Sequence, residues 1–162
     1  MSTPSLNLGF IGLGIMGTPM AGHLRAAGHT LYVQTRSKVA PALIEAGVHV
    51  CSDAQDVARK ADIIFLMLPD TPDVEKVLFS PNGVASGLTA GKTVVDCSSI
   101  DPITTKAFAE KIKALGCDYL DAPVSGGEVG AKAASLTIMV GAEYKPASST
   151  LAGLGWMQSL QH

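Results

Sequence analysis

Short apolar runs alternate with amphipathic segments along most of this 162-residue chain. Met16, Met20 and Leu24 recur at helical spacing after the first apolar run, whereas residues 63–68 are apolar without interruption, as in a strand buried on both faces. Ser52 and Gln55 have the spacing of a capping box, which predicts a helix beginning at Ser52. Strands are predicted at residues 8–11, 30–35, 48–51, 63–68, 93–97, 117–122 and 135–141, with helices between most of them. This alternation predicts an α/β fold with a doubly wound, mainly parallel sheet.

A glycine-rich turn joins the first predicted strand to the first predicted helix. It has the pattern Gly-x-Gly-x-x-Gly at Gly12, Gly14 and Gly17. We expect Gly12 to take backbone angles that other residues avoid, Gly14 to let a pyrophosphate approach the main chain, and Gly17 to let the helix pack closely on the strand. The free N–H groups at the start of the helix favour a phosphate. Because the motif lies between a strand and a helix, it predicts a dinucleotide-binding Rossmann fold, with a glycine turn used only for packing as the alternative.

The end of the second predicted strand indicates which dinucleotide is bound. NAD is commonly held there by an acidic residue about 20 positions after the glycines. No Asp or Glu occurs between His29 and Ile44. The segment instead carries Arg36, whose guanidinium matches the geometry of a 2′-phosphate, and Thr35, Ser37 and Lys38 can add further donors. The sequence therefore favours NADP over NAD, with Arg36 as a solvated loop charge in the alternative reading.

Three loops follow strands that end at the same predicted edge of the sheet, at residues 68–71, 98–100 and 125–127. Ligands of open α/β sheets bind beyond the carboxyl ends of the strands. Ser125, Gly126 and Gly127 offer a hydroxyl and successive N–H groups that suit a carboxylate. Asp96 and Asp121 end two of the strands, where a cap or a loop hydrogen bond is expected rather than acid–base catalysis. Each loop taken alone is also consistent with ordinary turn chemistry.

Composition and charge narrow the class of partner. The chain is 47% hydrophobic and 16% charged, with a net charge of -2 at pH 7. Without a basic cluster, this balance argues against nucleic acid or an anionic membrane and favours a small ligand. The apolar runs are shorter than the ~20 residues that span a bilayer. Cys51, Cys97 and Cys117 are widely spaced, so we expect buried reduced thiols and no metal site. The expected location is the cytoplasm, with an organelle matrix as the alternative.

Four segments carry the motifs of one enzyme family, at residues 9–17, 67–69, 96–100 and 121–127. Together they resemble the β-hydroxyacid dehydrogenase family over residues 7 to about 142. The resemblance implies hydride transfer between a nicotinamide and a small 3-hydroxy or 3-oxo acid, such as tartronate semialdehyde or glycerate. By motif match, the resemblance assigns the pyrophosphate to Gly12, Gly14, Ile15, Met16 and Gly17, the nicotinamide half to Leu68, Pro69 and Ser99, and the carboxylate substrate to Ser125, Gly126 and Gly127.

The resemblance also concerns the part of the chain beyond the cofactor domain. Members of this family carry their general acid, a lysine, in a glycine-rich segment on a long helix that enters a second, all-helical domain. The last four lysines match neither that motif nor its context, and they are Lys111, Lys113, Lys132 and Lys145. We therefore assign no catalytic residue. The expected organisation is a cofactor domain at residues 1–142 and a truncated or altered tail at 143–162, without the helical domain.

Two functions remain open at this point. The chain is either the cofactor domain of such a reductase or a non-catalytic dinucleotide-binding module, which includes an inactive fragment. A dehydrogenase acting on 6-phosphogluconate is disfavoured, because its phosphate needs cations and none cluster near Ser125. Apolar surface left without a helical partner predicts self-association.

Overall fold

The computed structural model describes residues 5–125, 127–133, 136–139 and 157–161. Strands and helices alternate as predicted, and every predicted strand is found. The strands are β1 (Asn7–Ile11), β2 (Thr30–Gln34), β3 (His49–Val50), β4 (Ile63–Leu66), β5 (Thr93–Asp96), β6 (Asp118–Asp121), β7 (Val124–Ser125), β8 (Leu136–Met139) and β9 (Met157–Gln161). The helices are α1 (Gly17–Ala26), α2 (Pro41–Glu45), α3 (Ala54–Lys60), α4 (Thr71–Phe79), α5 (Val84–Gly87), α6 (Pro102–Lys113) and α7 (Gly127–Lys132).

Six strands form one parallel sheet in the order β3-β2-β1-β4-β5-β6. Phe10 of β1 pairs with Val33 of β2 on one side and with Phe65 of β4 on the other. The strand order therefore reverses at β1, since β2 and β3 extend to one side and β4 to β6 to the other. This is the predicted doubly wound Rossmann sheet, and ligands of such sheets bind at the carboxyl ends of the strands where the order reverses.

Apolar side chains cover both faces of the sheet. On β1, Phe10 packs into one buried cluster and Ile11 into the other. On β4, Phe65 joins the first cluster and stacks on Phe10, with ring centroids 6.1 Å apart, whereas Ile64 joins the second. Alternate residues of a strand point to opposite faces, so the uninterrupted apolar run of β4 reflects burial on both sides.

A second, smaller sheet contains β7, β8 and β9. β7 pairs antiparallel with β8, and β9 pairs parallel with β8. Sequence patterns predicted neither α7 nor β9, and β9 lies within the segment 143–162 that was expected to be a tail. On α1, His23 Nε2 donates to Ala131 O of α7 at 2.8 Å. This bond ties the segment after β7 to the first helix.

The predicted capping box at Ser52 and Gln55 is wrong. Asp53 is the N-cap of α3, with an extended backbone, and its Oδ1 accepts the N–H of Asp56 at 2.8 Å. The N–H of Gln55 instead donates to Asn82 O at 3.0 Å. Because Gln55 is held by a neighbouring loop, the tertiary contact overrides the local signal.

Candidate cofactor site

The three motif glycines are needed for different physical reasons. Gly12 has a φ of 99°, and a Cβ there would lie 2.2 Å from Met67 O. A Cβ on Gly17 would lie 1.9 Å from Gly12 O. A Cβ on Gly14 would meet no protein atom within 4 Å. Gly12 and Gly17 therefore allow the turn itself to form, as expected, whereas Gly14 leaves open space above it.

The first helix presents an uncapped N-terminus to this turn. Met16 occupies the N-cap position without a side-chain hydrogen bond, and the first turn of α1 contains no acidic residue. The hydroxyl of Thr18 donates to Leu13 O at 3.0 Å, so it does not cap the helix. The N–H of Thr18 donates to Gly14 O at 3.0 Å and Pro19 has no N–H, so the site left for an anion is the start of α1 at Gly17 and the turn before it, at the positive end of the helix dipole. The arrangement suits an anion such as a pyrophosphate.

A cleft of about 500 Å³ lies at the carboxyl ends of β1, β2 and β4. It brings together most of the residues expected to hold the cofactor, which are Gly12, Gly14, Ile15, Met16, Gly17, Thr35, Arg36, Leu68 and Pro69. Ser37, expected as a further donor beside Arg36, also lines the cleft, whereas Lys38 does not. Five further lining residues were not predicted, namely Ile11, Leu13, Gln34, Met67 and Val77. Most of them flank predicted residues in sequence, but Val77 belongs to α4 and reaches the cleft only through tertiary packing.

Arg36 lies at the rim of the cleft and is 69% exposed. Its Nη2 lies 3.2 Å from Oδ1 of Asp73 on α4. A neighbouring cavity of about 300 Å³ is lined by Arg36 and by Lys76, which is also on α4. Arg36 is thus an exposed cation with a carboxylate partner, and a second cation lines the same neighbouring cavity.

The expected nicotinamide residue Ser99 does not line the cleft. It is exposed, whereas its neighbour Ser98 is completely buried. The Oγ of Ser98 accepts the backbone N–H of Leu68 at 2.9 Å. The pair of serines in the sequence did not indicate which of them faces inward, and only the packing beside β4 distinguishes them.

Asp96 is buried at the end of β5 and forms two hydrogen bonds. Its Oδ1 accepts the N–H of Ser98 at 2.9 Å, and its Oδ2 accepts the hydroxyl of Tyr119 at 2.6 Å. Burial raises the pKa of Asp96, although the hydrogen bonds from Tyr119 and Ser98 oppose the shift. Burial and the nearby Asp96 also raise the pKa of Tyr119. Asp96 therefore forms loop and cross-strand hydrogen bonds, as the sequence led us to expect.

The segment expected to bind substrate lies beyond β6. Ser125 ends β7, and Gly127 opens α7 with a φ of 59°, while Gly126 lies outside the described residues. Gly127 does not line the cleft. Asp121, at the end of β6, has its pKa raised to about 6, by burial first and then by the charge of Asp96.

Lysines and metal ligands are absent from the cleft as far as the structure describes it. Lys111 lies over the ring of Phe79, 4.8 Å from its centroid, and Lys132 pairs with Glu128 at 2.8 Å. Lys145 lies outside the described residues. Within the described ranges, no cluster of three or more His, Cys, Asp or Glu side chains is placed to hold a metal ion. None of the helices in those ranges is long and apolar enough to cross a membrane.

A parallel sheet that reverses order at β1, a glycine turn with an uncapped helix and a cleft at that point define a dinucleotide-binding Rossmann domain. The chain belongs to the family described as the NAD binding domain of 6-phosphogluconate dehydrogenase, whose model matches residues 7–155. It is 56% identical over 138 residues to the 2-hydroxy-3-oxopropionate reductase of Escherichia coli (strain K12), a match that covers 85% of this chain and 47% of that protein.

Solved structures give the same result. The 3-hydroxyisobutyrate dehydrogenase of Mycobacterium tuberculosis, solved with L-serine, superposes with a TM-score of 0.88 at 28% identity, covering 98% of this chain and 54% of that one. Psf3 in complex with NADP+ and 2-OPP superposes with a TM-score of 0.87 at 30% identity, covering 95% of this chain and 55% of that one. The resemblance to β-hydroxyacid dehydrogenases is confirmed, and the chain is an NAD(P)-binding domain of that type. It spans about half the length of the curated relatives it matches.

Proposed function

We propose that this chain binds NADP in the cleft at β1 and forms the cofactor half of a reductase acting on a small 3-oxo acid such as tartronate semialdehyde. The observation that carries the proposal is the cleft itself, in which the glycine turn, the rim at Arg36 and the loop at Leu68 and Pro69 form one continuous wall. The 56% identity to a 2-hydroxy-3-oxopropionate reductase supports the substrate class.

The lining residues fit a dinucleotide. The uncapped start of α1 and the open space at Gly14 suit the pyrophosphate, which Ile15 and Met16 flank. Leu68 and Pro69 provide an apolar wall at the other side of the cleft for the nicotinamide half. When bound, the nicotinamide supplies the hydride that the reaction transfers. The residues of this chain bind and orient it.

Arg36 supports NADP rather than NAD. No carboxylate of β2 or the loop after it lines the cleft to accept ribose hydroxyls, and Arg36 occupies the rim instead. Asp73 already pairs with the Arg36 guanidinium at 3.2 Å. A 2′-phosphate would therefore compete with Asp73 for the guanidinium or bind it together with Asp73. A charge-assisted hydrogen bond to phosphate contributes about 1.5 to 3 kcal/mol, which is roughly tenfold to hundredfold in affinity.

Calorimetric titration of the chain with NADPH and NADH tests the cofactor. We expect NADPH to bind more tightly, and Arg36→Ala to weaken NADPH roughly tenfold or more while changing NADH by less than about threefold. Lys113→Ala is the matched control, because it also removes one exposed positive charge, and Lys113 lies at the end of α6 and does not line the cleft. Tighter binding of NADH by the wild-type chain would show that the NADP assignment is wrong.

A second candidate is a dinucleotide-binding module without catalytic activity. The absence of any lysine from the described lining of the cleft favours it. A general acid contributes about 10² to 10⁴ in rate, so we expect the 162-residue chain to bind NADPH but not to oxidise it measurably with tartronate semialdehyde. Measurable turnover would rule out the non-catalytic module.

Three further assignments complete the proposal. Ser125, Gly126 and Gly127 bind the substrate carboxylate, which their match to the family motif supports. The chain self-associates through exposed apolar side chains such as Ile103 and Val129, which are 80% and 81% exposed. A cytoplasmic location is supported by the three buried, unpaired cysteines.

A further inference from the structure

The loop after β4 is held by a side chain at the point where the sheet ends. The N–H of Met67 donates to Ile11 O at 3.0 Å, which continues the pairing of β4 with β1. The next N–H, that of Leu68, donates to the hydroxyl oxygen of Ser98 at 2.9 Å. Ser98 thus supplies the hydrogen-bond acceptor for the first backbone N–H beyond the sheet pairing, at the point where the chain enters the wall of the cleft.

Ser98 is itself fixed by a buried chain of hydrogen bonds. It is 0% exposed, and its N–H donates to Oδ1 of Asp96, also 0% exposed, at 2.9 Å. The other carboxylate oxygen accepts the Tyr119 hydroxyl at 2.6 Å. Buried polar groups are costly unless they are hydrogen-bonded, so each bond constrains the next. The chain of bonds runs from β6 through β5 to the backbone of Leu68.

The glycine turn packs against Met67 and Leu68 but has hydrogen bonds of its own. The N–H of Gly12 donates to Gln34 O at 3.1 Å, and the Thr18 hydroxyl donates to Leu13 O at 3.0 Å. Neither bond involves Ser98 or Asp96. Loss of the Ser98 hydroxyl therefore removes a hydrogen bond at Leu68 and leaves the hydrogen bonds of the glycine turn intact.

We propose that Ser98 and Asp96 are positioning residues that hold the Leu68 N–H and thereby preorganise the wall of the cleft for the nicotinamide half of the cofactor. The inference rests on the proposed function, because it assigns the Leu68 side of the cleft to the nicotinamide. The inference predicts selectivity between ligands, because the Leu68 wall increases the affinity for a ligand that carries the nicotinamide ring but not for one that lacks it.

The affinities of two ligands test this selectivity. NADPH carries the nicotinamide, whereas 2′-phospho-ADP-ribose has the same adenosine, 2′-phosphate and pyrophosphate without it. We expect Ser98→Ala to weaken NADPH about tenfold and to leave 2′-phospho-ADP-ribose unchanged, since it removes one acceptor at the Leu68 wall. Ser86→Ala is the matched control, because the Ser86 hydroxyl also bonds the backbone, donating to Gly83 O at 2.8 Å, but lies outside the cleft. We expect it to change neither affinity.

Tyr119→Phe provides a second test if Ser98→Ala does not fold. It leaves the loop atoms intact and removes only the far hydrogen bond to Asp96, so a smaller loss of NADPH affinity, about threefold, with the same selectivity is expected. Amide exchange measures the positioning directly. In Ser98→Ala or Tyr119→Phe, the Leu68 amide exchanges faster while that of Met67, bonded to Ile11, does not change.

Equal weakening of both ligands, or no weakening of NADPH, would overturn the positioning role of Ser98. An unchanged exchange rate at Leu68 in Ser98→Ala would overturn it as well. If the wild-type chain binds neither ligand, the proposed function fails and this inference fails with it. If the wild-type chain binds both ligands, the proposed cofactor site stands, and the variants alone then decide whether Ser98 positions Leu68.

Discussion

Alanine substitutions at Gly17 and Gly14 separate the folding and binding contributions of the glycine turn. In Gly17→Ala, the new Cβ lies 1.9 Å from Gly12 O, whereas carbon atoms in proteins do not approach a backbone oxygen closer than about 3.0 Å. The obstacle is a backbone oxygen that cannot rotate away, so α1 has to move outward by about 1 Å. In Gly14→Ala, no protein atom lies within 4 Å of the new Cβ.

The expected magnitude for Gly17→Ala is about 2 kcal/mol of lost stability. Overpacking against a fixed group costs about 3 kcal/mol, and the better helix propensity of alanine recovers up to about 1 kcal/mol. For a chain of this size, the loss corresponds to a fall in Tm of about 4 to 8 °C. Gly14→Ala is expected to change stability by less than about 0.5 kcal/mol but to weaken NADPH, because its methyl group fills the space above the turn.

Thermal unfolding followed by circular dichroism, with calorimetric titration of NADPH, checks both variants. The reasoning predicts a crossed pattern, in which Gly17→Ala loses stability and Gly14→Ala loses affinity at wild-type stability. If Gly17→Ala melts at the wild-type temperature, the close approach of α1 to Gly12 does not constrain the fold. If Gly14→Ala binds NADPH as tightly as the wild type, the open space at Gly14 is not a pyrophosphate site.

Two further predictions concern buried titratable groups. The folded-state pKa of Asp121, raised to about 6 by burial and by Asp96, exceeds its ordinary value of 3.8, so its contribution to stability is lost as pH rises through about 6. Asp121→Asn removes this loss, so its stability relative to the wild type should rise by about 1 kcal/mol between about pH 4 and 6, after allowance for partial exposure. A difference in urea unfolding that stays constant over this range would contradict this. Burial raises the pKa of Cys51 to about 11 and also raises that of Cys97, and Cys117 is buried too. At about pH 8 the native thiols should react with a disulfide reagent only after unfolding in guanidinium, and rapid labelling of the native chain would contradict this.

Local pattern was sufficient for the central fold. The apolar run of β4 and the helical spacing of Met16, Met20 and Leu24 each show in the sequence that these segments are buried. Gly17 was also predictable, because its constraint arises within one strand-turn-helix unit, and so was the left-handed backbone of Gly12, whereas the contact of Gly12 with Met67 O depends on the packing of β1 beside β4. The signal for such features lies in residue types close together in the sequence, even where the contact itself is with a distant segment.

Local sequence patterns gave wrong or missing predictions where a contact with a distant segment determines the structure. The capping box at Ser52 was wrong because Asn82 holds the backbone of Gln55 and leaves Asp53 to cap α3. β9 was missed, since its pairing with β8 joins segments that are separated along the chain and carry no shared pattern. At Ser52 a contact with a distant loop outweighed the local signal. At β9 pairing with a distant strand formed an element that the local sequence does not indicate.

The sequence by itself determined a Rossmann sheet, the glycine turn, the Arg36 loop and the family. Only the tertiary structure placed Val77 of α4 in the cleft and paired Arg36 with Asp73. It also distinguished buried Ser98, which holds Leu68, from exposed Ser99. The physical reason is that a glycine turn is specified by backbone sterics within a few residues, whereas the partner of a buried hydroxyl is set by strands that meet only when the sheet has formed.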